Sequence, residues 1–262
     1  MMPVARAVSV ILLLGGYALA GAQTDAALHV AAAADLQPIL PAIAADFEQH
    51  NHVRIAITYG ASGTLTTQTE NGAPFDVFIA ADMKYPERII SAGLADSARP
   101  VLYARGVLVL WARRDSPVQP LSLGSLRDEK VKRLAIANPQ TAPYGRAALA
   151  MLESMGLTSQ VKDKLVTAEN VAQAAQFAES GNADAGLISL NSAANPPLLH
   201  EGTYVVMPPA SYPPIEQGAV VLRRAHDAKI AHAFVEAVAK VTLQPSGAVI
   251  QPNAQPAAAA QH

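Results

Sequence analysis

The sequence predicts an α/β fold. Short apolar runs of strand length alternate with amphipathic runs of helix length along most of the 262 residues. Glycines follow several of the helical runs as stop signals. There is no cysteine, so disulfides, thiolate metal sites and a cysteine nucleophile are excluded and a core of ordinary size must hold the chain.

Taken in order, "ALHVAAA" is a short β-like run. "LQPILPAIAADFEQH" follows, with Leu36, Leu40, Ile43, Ala44 and Phe47 at helical spacing. "VRIAITYG" alternates as a strand, "TLTTQTENG" reads as a helix, and "DVFIAA" as a buried strand. The helix "YPERIISAG" closes at Gly93. "GVLVLWARR" and "VKRLAIANP" are strands, and "YGRAALAMLESMG" is a helix ending at Gly156. Next come the helix "NVAQAAQFAESGN", the strands "ADAGLISL" and "QGAVVLRRAHD", and the helix "AKIAHAFVEAVAKV". Strands separated by helices imply right-handed βαβ units and parallel sheets. Open sheets of that kind bind ligands beyond the carboxyl ends of their strands. No internal repeat is evident.

The N-terminus has a different character. "MMPVARAVSVILLLGGYALAGAQTDA" carries Arg6, an apolar run from Val8 to Leu14, and Ala20 and Ala22 at A-x-A spacing. This is the pattern of a secretory signal cleaved after Ala22, and the run is short for a membrane span. A secreted chain without cysteine fits a bacterial periplasm. The formal net charge of −2 shows no basic block, so nucleic acid is not expected as a partner. The tail "QPNAQPAAAAQH", from about residue 251, is rich in Ala, Pro and Gln and is expected to be disordered.

Ser62 lies in "TYGASGTLTTQ", where a strand gives way to a helix. A hydrolase elbow is G-x-S-x-G, but here the second glycine, Gly63, comes one place early. None of the seven histidines has a neighbourhood that singles it out as a base. A plain helix cap is the simplest reading of Ser62. An anion site is the more specific one, because a helix start offers unpaired N–H groups, half a positive charge and a hydroxyl. With no lysine or arginine in the loop, such a site suits a fully ionised tetrahedral oxyanion.

The run "VAAAADLQPIL…TYGASGTLTTQTENGAPFDVFIAAD" resembles the periplasmic molybdate-binding proteins of ABC importers. The likeness covers about Leu28 to Phe234 and is most specific from Gly72 to Asp82. It implies a two-lobed periplasmic-binding-protein fold of the type II kind, each lobe a mixed sheet flanked by helices, with the ligand in the cleft between them. The lobes are expected over about 23–105 plus 216–262, and 106–215, with crossings near "GVLVLWARR" and "QGAVVLRR".

The resemblance also implies the ligand positions. Ser62 is the second-loop donor. The first-loop position, often serine or asparagine in the family, falls on Asp35, where a carboxylate would repel a dianion. The favoured account has Asp35 capping the following helix with its side chain turned away, its N–H still serving the ligand. The alternative is a protonated ligand oxygen donating to Asp35, which shifts choice toward a phosphate-like ion. Tyr144 and Val171 are expected to offer backbone N–H groups at helix starts, with the Tyr144 phenol as a possible aid. Ser189 stands where many relatives have a tyrosine hydroxyl and is expected as a ligand residue: either it reaches the ion directly, a water bridges, or Tyr144 takes over the donor role. Trp111 is expected to pack in the core. Asp76 and Asp82 are expected to cap the following helix or bond loop backbone, with no cation site, and Glu48, Arg88, Glu153 and Lys162 to lie on solvated faces.

The expected function is capture of molybdate or tungstate and delivery to an ABC permease at the inner membrane, by a monomer that is no enzyme and uses no cofactor. The alternatives are a binding protein for another oxyanion or small organic anion, an extracytoplasmic serine hydrolase using Ser62, and a sensing module that never delivers solute.

Overall fold

The computed structural model describes residues 27–242. The signal segment and the C-terminal tail lie outside the described residues. The elements run β1 (Ala27–Ala33), α1 (Leu40–Asn51), β2 (Arg54–Gly60), α2 (Ser62–Glu70), β3 (Val77–Ala80), α3 (Lys84–Ser91), β4 (Val101–Gly106) and β5 (Leu108–Arg113). They continue with β6 (Leu134–Ala137), α4 (Pro143–Ser154), α5 (Thr158–Val161), β7 (Leu165–Ala168), α6 (Val171–Glu179), β8 (Ala185–Ser189), α7 (Leu190–Ala193) and α8 (Leu198–Glu201). The last are β9 (Gly202–Val206), β10 (Ile215–Val221) and α9 (Ala228–Thr242).

The strands form two five-stranded sheets, ordered β2-β1-β3-β10-β4 and β7-β6-β8-β5-β9. Both are mixed rather than wholly parallel. β1 runs parallel to β2 and β3, and β6 runs parallel to β7 and β8. β10 is antiparallel to β3 and β4, and β5 is antiparallel to β8 and β9. The antiparallel strands arise where the chain changes sheet. Only Val107 separates β4 of the first sheet from β5 of the second, and the chain returns between β9 and β10.

Position in the sheet explains the sequence patterns. β3 is buried along its whole length, so "VFIA" is uninterruptedly apolar. β2 forms an edge and alternates between exposed and partly buried residues. β4, β7 and β9 carry patterns too short or too polar to stand out as strands in the sequence.

One face of the first sheet packs Val30, Leu36, Leu40 and Phe47 against Phe234 of α9. The Phe47 and Phe234 rings meet edge to face, with centroids 5.2 Å apart. The opposite face packs Phe78, Leu65, Tyr85 and Ile89. In the second lobe Trp111 is wholly buried, and its indole N–H donates to the Leu198 carbonyl at 3.1 Å. The core role expected for it from the sequence is the one it has.

α4 lies unusually close to the end of β6. A Cβ on Gly145 would come within 2.8 Å of the Ala137 carbonyl carbon and 2.9 Å of that of Asn138. Both obstacles are backbone and cannot turn aside. Gly145→Ala is therefore expected to destabilise the chain by about 1–3 kcal/mol, read as a lower denaturant midpoint with an unchanged slope.

Candidate functional site between the lobes

The carboxyl ends of the parallel strands in both sheets face one cleft. β1 ends at Ala33, β2 at Gly60, β6 at Ala137 and β7 at Ala168. The chain leaving these strands starts α2 at Ser62, α4 at Pro143 and α6 at Val171. Three helix N-termini thus converge on a cavity lined by Ala34, Asp35, Ser62, Tyr144, Asn170 and Val171, among others. Apart from Asp35 the lining bears no charge, and small residues such as Ala33, Ala61, Ala81 and Ala142 let the backbone approach closely. The cavity measures about 10 Å³, room for about one water.

Interlobe contacts surround the cavity. The Gly63 N–H donates to the Thr141 carbonyl at 2.9 Å, and the Tyr85 hydroxyl donates to the same oxygen at 3.1 Å. Arg146 donates to the Tyr85 hydroxyl at 2.9 Å and pairs with Asp82, its guanidinium 5.4 Å from the Tyr85 ring centroid. A Cβ on Gly63 would sit 2.9 Å from the Thr141 oxygen. Closure to this distance requires the bare backbone that glycine supplies.

Ser62 is the first residue of α2, and Ala61 holds the N-cap position. Its Oγ accepts from the Ala81 N–H at 3.0 Å. The simple cap reading of Ser62 therefore does not hold. The hydroxyl is buried, lies in the cavity wall and accepts from the residue that follows β3. Val171 opens α6, and Asn170 caps it by accepting from the Gln173 N–H at 3.0 Å. First-turn N–H groups such as that of Val171 have no intrahelical acceptor.

Asp35 departs most from its expected role. It does not cap α1, whose N-cap position is Ile39 with no side-chain cap bond. Instead it sits in a single 3₁₀ turn, Ala34–Leu36, directly after β1. Its side chain faces inward and is completely buried. Gln217 of β10 donates to Asp35 Oδ2 at 2.7 Å. The Tyr144 hydroxyl donates to the same oxygen at 3.4 Å, and Gln217 also donates to that hydroxyl at 3.3 Å. Among the described residues Oδ1 has no hydrogen-bond partner. Burial, only partly offset by hydrogen bonding from Gln217, from the Asp35 backbone and from Tyr144, pushes the Asp35 carboxyl up from 3.8 to about 7. Burial and the neighbouring Asp35 raise the Tyr144 phenol well above its ordinary range.

Asp35, Ser62, Tyr144 and Val171 are thus brought together, and Ser189 is not. Ser189 caps α7, accepting from the Ser192 N–H at 3.2 Å with its hydroxyl 3.0 Å from that of Ser192, and it is absent from the cavity wall. From the same segment Asn191 instead reaches the Asp35 carbonyl at 3.4 Å. Gln217 and Asn170 escaped the sequence reading. Asn170 carried a local signal as an N-cap before "VAQAA", whereas Gln217, 182 residues from Asp35, carried none.

No histidine lines the cavity, and Ser62 makes no hydrogen bond to one among the described residues. The arrangement therefore lacks the base that a serine nucleophile needs. Asp76 is structural, accepting from the His29 N–H at 2.7 Å and the His226 N–H at 3.0 Å. Asp82 accepts from the Lys84 N–H at 3.0 Å, but its pairing with Arg146 across the cleft was not foreseen. Among the described residues no cluster of side chains suits a metal cation.

Known proteins resemble this chain throughout the part that builds the site. The chain is 38% identical over 223 residues to the molybdate-binding protein ModA of Azotobacter vinelandii, covering 85% of this chain and 88% of that protein. It is 32% identical over 194 residues to ModA of Rhodobacter capsulatus, covering 74% and 75%. The solved structure of the Azotobacter vinelandii periplasmic molybdate-binding protein superposes with a TM-score of 0.75 at 31% identity, covering 80% of this chain and 92% of that one. The family model described as bacterial extracellular solute-binding protein matches residues 28–244. Two mixed sheets facing one cleft and this match over nearly all of the described residues place the chain in the bacterial extracellular solute-binding protein family.

Proposed function

We propose that this chain captures molybdate, or the near-isosteric tungstate, in the interlobe cleft and delivers it to an ABC permease at the inner membrane. The convergence of three helix N-termini on one small cavity without a fixed cation carries the reading. Hydroxyls and backbone N–H groups hold an oxyanion through its oxygens, and partial positive charges at the helix starts balance it without neutralising it. The 38% identity to a molybdate-binding protein supports that ligand. The donor set is Ser62 and Asp35 from one lobe, and Tyr144 and Val171 from the other. Ser189 acts beneath them as a cap. Only closure completes the set, so the ion favours the closed form over the open one. The hinging units are 23–105 with 216–262, and 106–215, and the crossings at Val107 and between β9 and β10 serve as hinges.

The protein acts as a periplasmic monomer, exported by a signal cleaved after Ala22, and as a carrier rather than a catalyst. No helix among the described residues is long and apolar enough to cross a membrane. A phosphate-like ion that keeps a proton is the second reading, and the carboxyl of Asp35 is the observation that favours it.

Calorimetric titration with molybdate, tungstate, sulfate and phosphate separates the two. Sub-micromolar binding of molybdate and tungstate alone is expected, and binding of phosphate alone would select the second reading. Ser62→Ala deletes a donor to a charged ligand, so about tenfold to a hundredfold weaker molybdate binding is expected. Gly63→Ala tests closure separately. Its methyl group obstructs the lobes and not the donors, so weaker binding with an unchanged melting temperature of the ligand-free protein is the expected result. Unchanged affinity would show that the Gly63–Thr141 approach is not needed for capture.

A further inference from the structure

Among the described residues, Asp35 contributes the only carboxyl group in the cavity wall. An ionised carboxylate and a dianion held within a few ångströms of each other in a dry cleft repel strongly. The side chain cannot swing away, because Gln217 and Tyr144 both fix Oδ2. The titratable groups facing Asp35 are Tyr144 of α4 and Tyr103 of β4, both wholly buried phenols. From β10 it meets the neutral Gln217, and from α7 the neutral Asn191. α6 presents Val171 to the cavity, preceded by its cap Asn170. Lysine, arginine and histidine are absent from the cavity wall and from the hydrogen bonds Asp35 makes among the described residues.

The hydrogen bonds fit a neutral carboxyl group. Its carbonyl oxygen accepts and its hydroxyl oxygen donates. Oδ2 accepts from Gln217 and Tyr144, while Oδ1 has no hydrogen-bond partner among the described residues. In the ionised state Oδ1 would be a buried, unsatisfied anionic oxygen, the most expensive arrangement available to the group. In the protonated state the same oxygen is a donor facing a shortage of acceptors, and an oxyanion is all acceptor.

We propose that capture of the oxyanion is coupled to uptake of one proton, held on Asp35 Oδ1 and donated as a hydrogen bond to an oxygen of the ion. The inference rests on the oxyanion reading of the cleft. It makes Asp35 a ligand donor whose strength depends on pH, in place of the repulsive carboxylate or the outward cap. No bond other than the O–H bond forms, and the proton comes from solvent as the lobes close.

The sign follows from linkage. In the open form Asp35 meets water and moves toward its ordinary carboxylate range. In the closed form burial holds it near 7, and a bound dianion raises it further. Proton binding therefore strengthens ion binding. The affinity is greatest below the open-form pKa, falls by up to tenfold per pH unit between the open and bound values, and levels off above the bound value.

The test is calorimetry with molybdate between about pH 6.5 and pH 8.5, where molybdate remains a dianion, in buffers of different ionisation enthalpy. About one proton taken up per ion bound, with affinity falling as pH rises, is expected for the wild type. Asp35→Asn keeps an N–H donor that does not titrate, so binding without proton uptake and with a flat pH profile is expected. Wild-type binding with no proton uptake, or equal uptake in Asp35→Asn, overturns the inference and leaves the molybdate reading standing. No molybdate binding by folded wild type at any of these pH values overturns the reading itself and the inference with it. Infrared difference spectra of the wild type supply a check that does not depend on how the variant folds. A protonated-carboxyl band appearing on addition of molybdate is expected, and its absence overturns the inference.

Discussion

The two lobes of this protein meet around the buried carboxyl group of Asp35, in a cavity wall that holds no lysine, arginine or histidine among the described residues. Asp35 leaves the end of β1, takes one hydrogen bond from Gln217 in its own sheet, and takes another from Tyr144 in the other lobe. Every nearby element is arranged with respect to that group. β10 delivers Gln217 because it runs antiparallel through the first sheet after its excursion from the second. α4 delivers Tyr144 because Gly145 lets the helix press against the end of β6. The chain uses neutral donors, which hold the carboxyl in place while burial favours its protonated form.

The same economy governs the rest of the cleft. An anion held without a cation must be held by dipoles, and dipoles act only at short range. Short range requires small residues. The lining includes Ala33, Ala34, Gly60, Ala61, Ala81 and Ala142, and the tightest approach uses Gly63 against Thr141. The alanine run that ends β1 has two roles at once. It packs in the interior of a central strand, buried on both faces, and it brings the first-loop backbone close to the donors of the other lobe.

How much of this the sequence disclosed depended on the range of each interaction. Strands and helices with local periodicity were legible, and so was Ser62, since a serine between two glycines at a strand-to-helix junction is a local pattern. β4, β7 and β9 were not, because their pairing partners rather than their own patterns make them strands. The mixed character of the sheets depends on where the chain changes lobes, which a simple alternation of strand and helix does not record. Asp35 was located but misread. An aspartate before an apolar helical run is ordinarily a cap, and only the distant Gln217 and Tyr144 turn its side chain inward. Ser189 failed for the complementary reason. Its nearest partner is Ser192, three residues away, and that local bond takes the hydroxyl the cleft was expected to use.

The aspartate position also bears on how a site of this type distinguishes its ligands. A fixed array of N–H and O–H donors ranks tetrahedral dianions by size alone, since each offers acceptor oxygens in the same geometry. A protonated carboxyl adds a second criterion, because its proton can be shared in either direction. Facing a dianion that has no proton, Asp35 must supply one. Facing an ion that keeps its own proton, the ionised Asp35 can accept it instead. One residue is therefore compatible with either class of ion, and the protonation state of the complex, set by the pH and by the proton affinity of the ion, decides which is bound. The Gln217–Tyr144 clamp leaves Oδ1 as the atom where that exchange takes place, since Oδ2 is already committed within the protein.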